Sequence, residues 1–186
     1  EAFITSQGIA NVAFEPADAE NLPFANGSFD LVTCRIAPHH FPDCPRFVEE
    51  GARVLKAGGL LLVQDHAMPE DKRAARYIDA FERLRDASHN RGYAETEWVE
   101  MFQTAGLKVE HTEQITKRHE FVPWAERQDC TSDVIERLSA MVEQAPEAVT
   151  AWMQPRDFGT LQAQFVNHHI ILAGRKSTST RQEAKH

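Results

Sequence analysis

Short apolar runs alternate along this chain with apolar positions at helical spacing, the pattern of a parallel sheet carrying helices on its faces. Val12 to Pro16 reads as a first strand that ends at the loop around Asp18. Phe29 to Cys34 is a continuous, β-branched run, and the pattern predicts a buried parallel strand there, with Asn26-Gly27-Ser28 as the turn before it. Leu60 to Gln64 is the next buried strand, Leu107 to about Arg118 a less regular one, and Phe165 to Leu172 the last.

The helices follow from steps of three and four. One starts near Asp43, whose carboxylate can accept from the free N–H groups of the first turn, with Pro45 where its missing donor costs nothing. Phe47, Val48, Gly51, Val54 and Leu55 keep its spacing, and Gly58 is the expected left-handed stop. Gly51 inside a helix costs about 1 kcal/mol relative to Ala, which suggests a close packing contact. Beyond Pro69, Ala74, Tyr77, Ile78, Phe81 and Leu84 mark a long amphipathic helix. Trp98, Met101, Phe102 and Ala105 mark a shorter one ended by Gly106. Asp133 with Glu136 suggests a capping box for a helix burying Ile135, Leu138 and either Met141 or Val142. The segment from about Phe121 to Gln164 is far longer than a hairpin needs, so a helical insert covering a ligand pocket is expected. Residues 1–176 read as a single domain and Ser177 to His186 as a disordered polar tail.

With 186 residues, 42% hydrophobic and 26% charged, the composition is that of a soluble globular domain. The net charge of -8, with no basic cluster, argues against nucleic acid, whose binding needs Lys and Arg to displace counterions. A small molecule is the expected partner. No apolar stretch approaches the roughly 20 residues that span a bilayer, so no membrane is expected either. Cys34, Cys44 and Cys130 are odd in number and far apart, which suits reduced thiols and a cytoplasmic location.

Three blocks carry a family resemblance: Asp18-Ala19-Glu20-Asn21-Leu22-Pro23-Phe24, Phe29-Asp30-Leu31-Val32, and Arg53-Val54-Leu55-Lys56-Ala57-Gly58-Gly59. At this spacing they resemble the second half of the nucleotide-binding core of class I S-adenosylmethionine-dependent methyltransferases, of the small-molecule type similar to quinone-biosynthesis C-methyltransferases. Specific blocks cover residues 8–66, and element order alone covers 67–176. The resemblance implies an α/β fold, a Rossmann-like methyltransferase sheet whose last strand is antiparallel. It also implies transfer of a methyl group from S-adenosylmethionine to O, N or C of a small acceptor. Ala57 departs from the proline usual in the third block.

Relatives carry a strand, a glycine-rich turn and a second strand with a terminal acid ahead of these blocks, yet only about a dozen residues precede Phe14. The expectation is an amino-terminally truncated domain lacking the first two strands of the sheet, binding S-adenosylmethionine weakly or not at all as given. A non-enzymatic remnant domain that self-associates is the alternative. Without those strands the edge at Leu31, Val32 and Thr33 would be unpaired, an invitation to a homodimer. Residues 1–17 folding back onto that edge would remove the invitation.

In an open α/β sheet the ligand lies beyond the carboxyl ends of the strands, here at Asp18 to Phe24, Arg35 to Phe41 and Asp65 to Pro69. The resemblance assigns the cofactor's adenine amino group to Asp18, an adenine ring nitrogen to the N–H of Ala19, and the methionine half to Arg35 and Ile36. Asp18 capping its own loop is the structural alternative. Arg35 could clamp a carboxylate or merely form a surface ion pair. His39 or His40 is a candidate general base, since neutral imidazole can take the acceptor's proton near pH 7, and either could instead be a core or helix-entry histidine. Cys34, His39, His40, Cys44, Asp65 and His66 crowd this region without matching a zinc spacing, so no metal is expected. His168 and His169 are neighbours on a strand and point to opposite faces.

Overall fold

The computed structural model describes residues 2–178. Of the tail expected at 177–186, residues 179–186 therefore lie outside the described residues. The elements are α1 (Ala2–Ser6), β1 (Phe29–Arg35), α2 (Cys44–Val54), β2 (Leu55–Met68), α3 (Lys72–Arg85), β3 (Tyr93–Ala94), α4 (Glu95–Thr104), β4 (Leu107–Glu120), α5 (Phe121–Glu126), α6 (Ser132–Glu143), α7 (Glu147–Met153) and β5 (Gln164–Lys176). A 3-10 turn, Pro38–His40, follows β1.

The sheet runs in the order β1-β2-β5-β4, with the short β3 also paired to β2. β1 and β2 are parallel neighbours, Val32 opposite Leu61 and Arg35 opposite Gln64. β5 is antiparallel to both β2 and β4, so it alone runs against the rest, as expected of the last strand.

Alternation along β2 sends Leu61, Val63, Asp65 and Ala67 to a buried face. Phe47 and Val48 of α2, Trp98 and Phe102 of α4, and Ile170 and Leu172 of β5 complete that core. Gly51 provides the close approach: a Cβ there would lie 3.3 Å from Leu61 Cδ1. A second core joins α3, α5, α6 and α7, where Phe81 stacks on Trp124 at 5.3 Å and Phe165 meets Trp124 edge-on at 4.8 Å. The opposite sheet face, carrying Leu31, Leu60, Leu62 and Ile171, is only partly covered, and Leu31 is 53% exposed.

Several expectations need correction. Val12 to Pro16 is not a strand; residues 9–17 are irregular and exposed, because no neighbour offers their backbone a ladder. Phe29 to Cys34 is an edge strand rather than a buried one, so every second side chain meets solvent. α2 ends at Val54, with Leu55 already extended, and Gly58 (φ 79°) serves an irregularity in the β1–β2 register instead of stopping the helix. The cap of α6 is Thr131, which accepts from Val134 N, and not Asp133. The inner face of α6 is settled in favour of Val142, which is buried where Met141 is half-buried.

The loop from Asp18 to Ser28 is pinned along α2 by charge. Glu50, 1% exposed, accepts from Leu22 N at 2.9 Å and is gripped by Arg53 through Nε and Nη2, both at 2.8 Å. Arg53 also donates to Leu22 O, Phe24 O and Asn26 Oδ1. The Arg53 hydrogen bonds hold the Glu50 carboxyl below its usual range despite burial. Arg53, read from its block as part of a helix-ending turn, is thus the tie between two blocks.

Candidate active site

β1 delivers Arg35 and Ile36 to the carboxyl edge of the sheet, and the turn after it delivers His39 and His40. All four line one cavity of about 920 Å³, walled on one side by the partly covered sheet face and on the other by α3 and α5. The structure does not bring Asp18 and Ala19 into that wall. Asp18 is exposed and its Oδ1 accepts from Glu20 N at 2.9 Å, an Asx turn that closes its own loop, leaving the second oxygen open. Ala19 is half-buried against the core under α2.

Ile36 adopts φ 51°, a left-handed conformation that a β-branched residue rarely takes. Its N–H donates to Gln64 O at 2.8 Å, the last rung of the parallel ladder to β2, and the left-handed turn at Ile36 ends the strand. Strain of this kind concentrates at ligand sites.

His39 is 5% exposed and is held from three directions. Asp65, at the end of β2 and 1% exposed, accepts from His39 N at 2.7 Å and pairs with His39 Nδ1 at 2.6 Å. The His39 carbonyl accepts from Asn90 N and Arg91 N, which ties the turn to the loop after α3. With Nδ1–H directed at the carboxylate, Nε2 is the nitrogen left to accept a proton, and among the described residues it makes no hydrogen bond. His40 instead turns its Nδ1 to Ser88 O at 3.0 Å and Ser88 Oγ at 3.1 Å.

Around His39 lies a group of imidazoles that the spacing of the sequence did not reveal. His39 stacks on His66 with ring centres 4.5 Å apart, lies 4.0 Å from His40 and 5.4 Å from His89, and His66 meets His169 edge-on at 5.1 Å. Burial first, and then the neighbouring imidazoles, push the His66 pKa well below 6.5, so His66 is neutral at physiological pH. Burial likewise lowers His169, whose Nδ1 is a buried polar atom without a partner. His168 points the other way, stacked at 3.8 Å on Trp152 and bonded to its carbonyl, as alternation along β5 requires. His89 pairs with Asp79 at 2.9 Å. Glu82, 3% exposed on α3, also lines the cavity, and burial pushes its carboxyl pKa up.

Among the described residues no group of three or more His, Cys, Asp or Glu is arranged to hold a metal ion. The thiols are poor nucleophiles: burial raises Cys34 to about 11 and Cys44 further still. The site therefore offers a histidine fixed by a carboxylate, two further histidines, His66 and His169, whose pKa values burial lowers, and cationic walls. Asp65 and His66 were visible in the sequence as a polar pair ending a strand. His89, His169 and Glu82 carried no spacing signal, because only the fold brings α3 and β5 to the end of β1.

Comparison with known proteins agrees with this architecture. A family model described as a methyltransferase domain matches residues 2–63. The uncharacterized methyltransferase YcgJ of Bacillus subtilis is 38% identical over 132 residues, 71% of this chain and 52% of that protein. The chain thus spans about half the length of this curated relative. In the solved YcgJ structure the likeness covers 96% of this chain and 76% of that one, with TM-score 0.90 and 31% identity. A solved protein of Bacillus halodurans C-125, provisionally described as a methyltransferase, is matched with TM-score 0.84 and 33% identity over 90% of this chain and 78% of that one. The ubiquinone/menaquinone biosynthesis C-methyltransferase UbiE of Pseudomonas putida GB-1 is 35% identical over 79 residues, 42% of this chain and 31% of that protein. No helix among the described residues is long and apolar enough to cross a membrane.

Proposed function

Since the chain belongs to the class I S-adenosylmethionine-dependent methyltransferases, we propose that it transfers a methyl group to a small molecule held in the cavity at the ends of β1 and β2, with His39 as proton acceptor. The observation that carries this reading is the buried Asp65–His39 pair, which occupies Nδ1 and leaves Nε2 as the free nitrogen of a histidine that lines the same cavity as the strained Ile36.

The residues fit the cofactor of the family. Arg35, whose one side-chain hydrogen bond runs to Gln64 Oε1 at 3.1 Å, suits the carboxylate of the methionine end, and Ile36 gives that end an apolar wall. The open oxygen of Asp18 suits an exocyclic amine, with the Ala19 N–H beside it. When bound, S-adenosylmethionine supplies an electrophilic methyl group. His39 takes the proton released by the acceptor at Nε2 while Asp65 keeps Nδ1–H and stabilises the imidazolium. His66, His169 and Glu82, whose carboxyl pKa burial raises, hold water out and orient the acceptor, so that catalysis rests on positioning in a dry site. His40, turned to Ser88, assists as a positioning residue.

Calorimetry with S-adenosylhomocysteine tests this. A saturable isotherm with Kd of about 1 mM or tighter, weakened tenfold or more by Arg35→Gln, supports the reading. No saturable heat on the wild-type chain would refute it.

A second reading, self-association, is favoured by the free edge of β1. Among the described strands β1 pairs only with β2, and residues 9–17 do not cover its other side. Exposed Leu31 on such an edge recruits another chain, and the pairing of two copies across a twofold axis gives a homodimer in the cytoplasm. Light scattering at micromolar concentration that gives a 21.0 kDa monomer would reject it.

A further inference from the structure

The far end of the same cavity has a chemistry that methyl transfer does not require. Lys117 projects from β4 on the cavity side, in the alternating row with Ile115 and His119, and Arg127 follows α5 directly. Arg127 Nη2 lies 3.4 Å from His119 Nδ1, and Lys117 stands two residues before His119 on the same strand, so both cations lie beside one histidine. Among the described residues neither cation has a carboxylate within 4.0 Å, although the chain as a whole carries an excess of acids and a net charge of -8.

The remaining charges of the wall do not cancel them. Arg85 is held over the Trp124 ring, 4.1 Å from its centre, donates to Trp124 O and lies 4.0 Å from Glu82, which fixes a third cation in the wall. Of the acids in the lining, Glu82 is kept toward its neutral form by burial. Asp86 is taken up by Ser88 through Oδ1 and by Gln128 through Oδ2, which leaves Glu120 as the one uncommitted carboxylate. His119 itself is pushed down to about 4 by burial and by Lys117 and Arg127, so it adds no charge at neutral pH.

Resting on the methyl-transfer reading above, we propose that the methyl acceptor is a small organic anion whose carboxylate or phosphate oxygens are anchored by Lys117 and Arg127. An ammonium and a guanidinium lining one end of a cavity make charge-assisted hydrogen bonds to oxyanions, and the planar fork of Arg127 accommodates both carboxylate and phosphate. The anchor lies at the β4 end of the cavity and His39 at the β1 end, so the acceptor spans the site with its charged end away from the base. Trp124 and Pro123 supply an apolar wall between.

Calorimetry with two probes, inorganic pyrophosphate and citrate, at low ionic strength separates phosphate from carboxylate recognition, with glycerol as the neutral control. The wild-type chain binds at least one anion, and its Kd rises tenfold or more in the Lys117→Gln/Arg127→Gln double variant and on addition of about 0.5 M salt. The anion also moves the His119 ring signals in an NMR spectrum of the wild type. Thermal unfolding of the double variant, with a melting temperature near that of the wild type, shows that it is folded. Binding of S-adenosylhomocysteine is followed in parallel and is equal in both proteins. Anion binding that is absent, or equal in the two proteins, overturns the proposal even where S-adenosylhomocysteine binds. Variant-sensitive anion binding without S-adenosylhomocysteine binding sinks the methyl-transfer reading and leaves the anion anchor standing.

Discussion

Asp65 holds His39 twice, through the backbone N–H at 2.7 Å and through ring Nδ1 at 2.6 Å, although 26 residues separate them. One carboxylate thereby fixes both the position of the turn after β1 and the tautomer of its histidine. Replacing it with alanine leaves two buried donors unsatisfied, each costing about 1–3 kcal/mol. Asp65→Ala is therefore expected to lose about 2–4 kcal/mol of stability in urea unfolding. Asp65→Asn, which keeps one acceptor oxygen, loses less. Equal stability of all three proteins would show that the pair is not a structural tie.

Arg53 is expected to matter more than its surface position suggests. Arg53→Met leaves the buried Glu50 carboxylate with Arg46 Nη2 at 3.2 Å and Leu22 N at 2.9 Å and frees three acceptors in residues 22–26, so the variant is expected to unfold at a lower urea concentration than the wild type. The sign for pH follows from Glu50: its folded pKa is lowered, so its contribution is present above the ordinary value of 4.5 and is lost as pH falls. The penalty of Arg53→Met should thus shrink toward pH 3, and a penalty independent of pH would count against this assignment.

The histidine cluster predicts a fall in stability on mild acidification. His66, His119, His168 and His169 all have folded pKa values below 6.5, so the unfolded chain binds more protons as pH drops through that value. The urea midpoint should decline from pH 7.5 to pH 5, and His66→Asn should flatten the decline. Glu82 acts with the opposite sign. Its raised folded pKa costs stability above 4.5, so Glu82→Gln should raise the midpoint at pH 7.5 and change little near pH 4. A midpoint flat between pH 5 and 7.5 would contradict the burial of these imidazoles.

Ile36 stores strain that glycine would release. A left-handed conformation costs a side chain bearing Cβ about 1–2 kcal/mol, which offsets the packing lost when the half-buried isoleucine is removed. Ile36→Gly should leave the unfolding free energy within about 1 kcal/mol of wild type while weakening S-adenosylhomocysteine binding. A large destabilisation would mean that the side chain serves packing rather than the site.

Much of the fold was legible because its periodicities were local. The Asp43 cap and the Gly106 stop follow from spacing, while the reversed last strand is what the family resemblance implied. The misread strand at Val12 to Pro16 shows the limit of the same rule, since an apolar run becomes a strand only where a neighbour pairs with it. Phe29 to Cys34 was read as buried from composition, but burial depends on what lies on both sides of a strand. Arg35, Ile36, His39 and His40 line one cavity because they sit within six residues of one strand end. Glu82, His119 and His169 come from α3, β4 and β5 and His89 from the loop after α3, and no spacing in the sequence relates them.

The central claim is that the cavity beside His39 and Asp65 is where the family's cofactor meets its acceptor. A crystal of the chain soaked with S-adenosylhomocysteine tests it most directly. The account predicts density beyond the end of β1, with the amino-acid carboxylate on Arg35, the sulfur facing the side of the cavity that holds His39 Nε2, and the adenine toward Asp18. Density bound elsewhere on the chain, with the Arg35 to His39 wall empty, would contradict it.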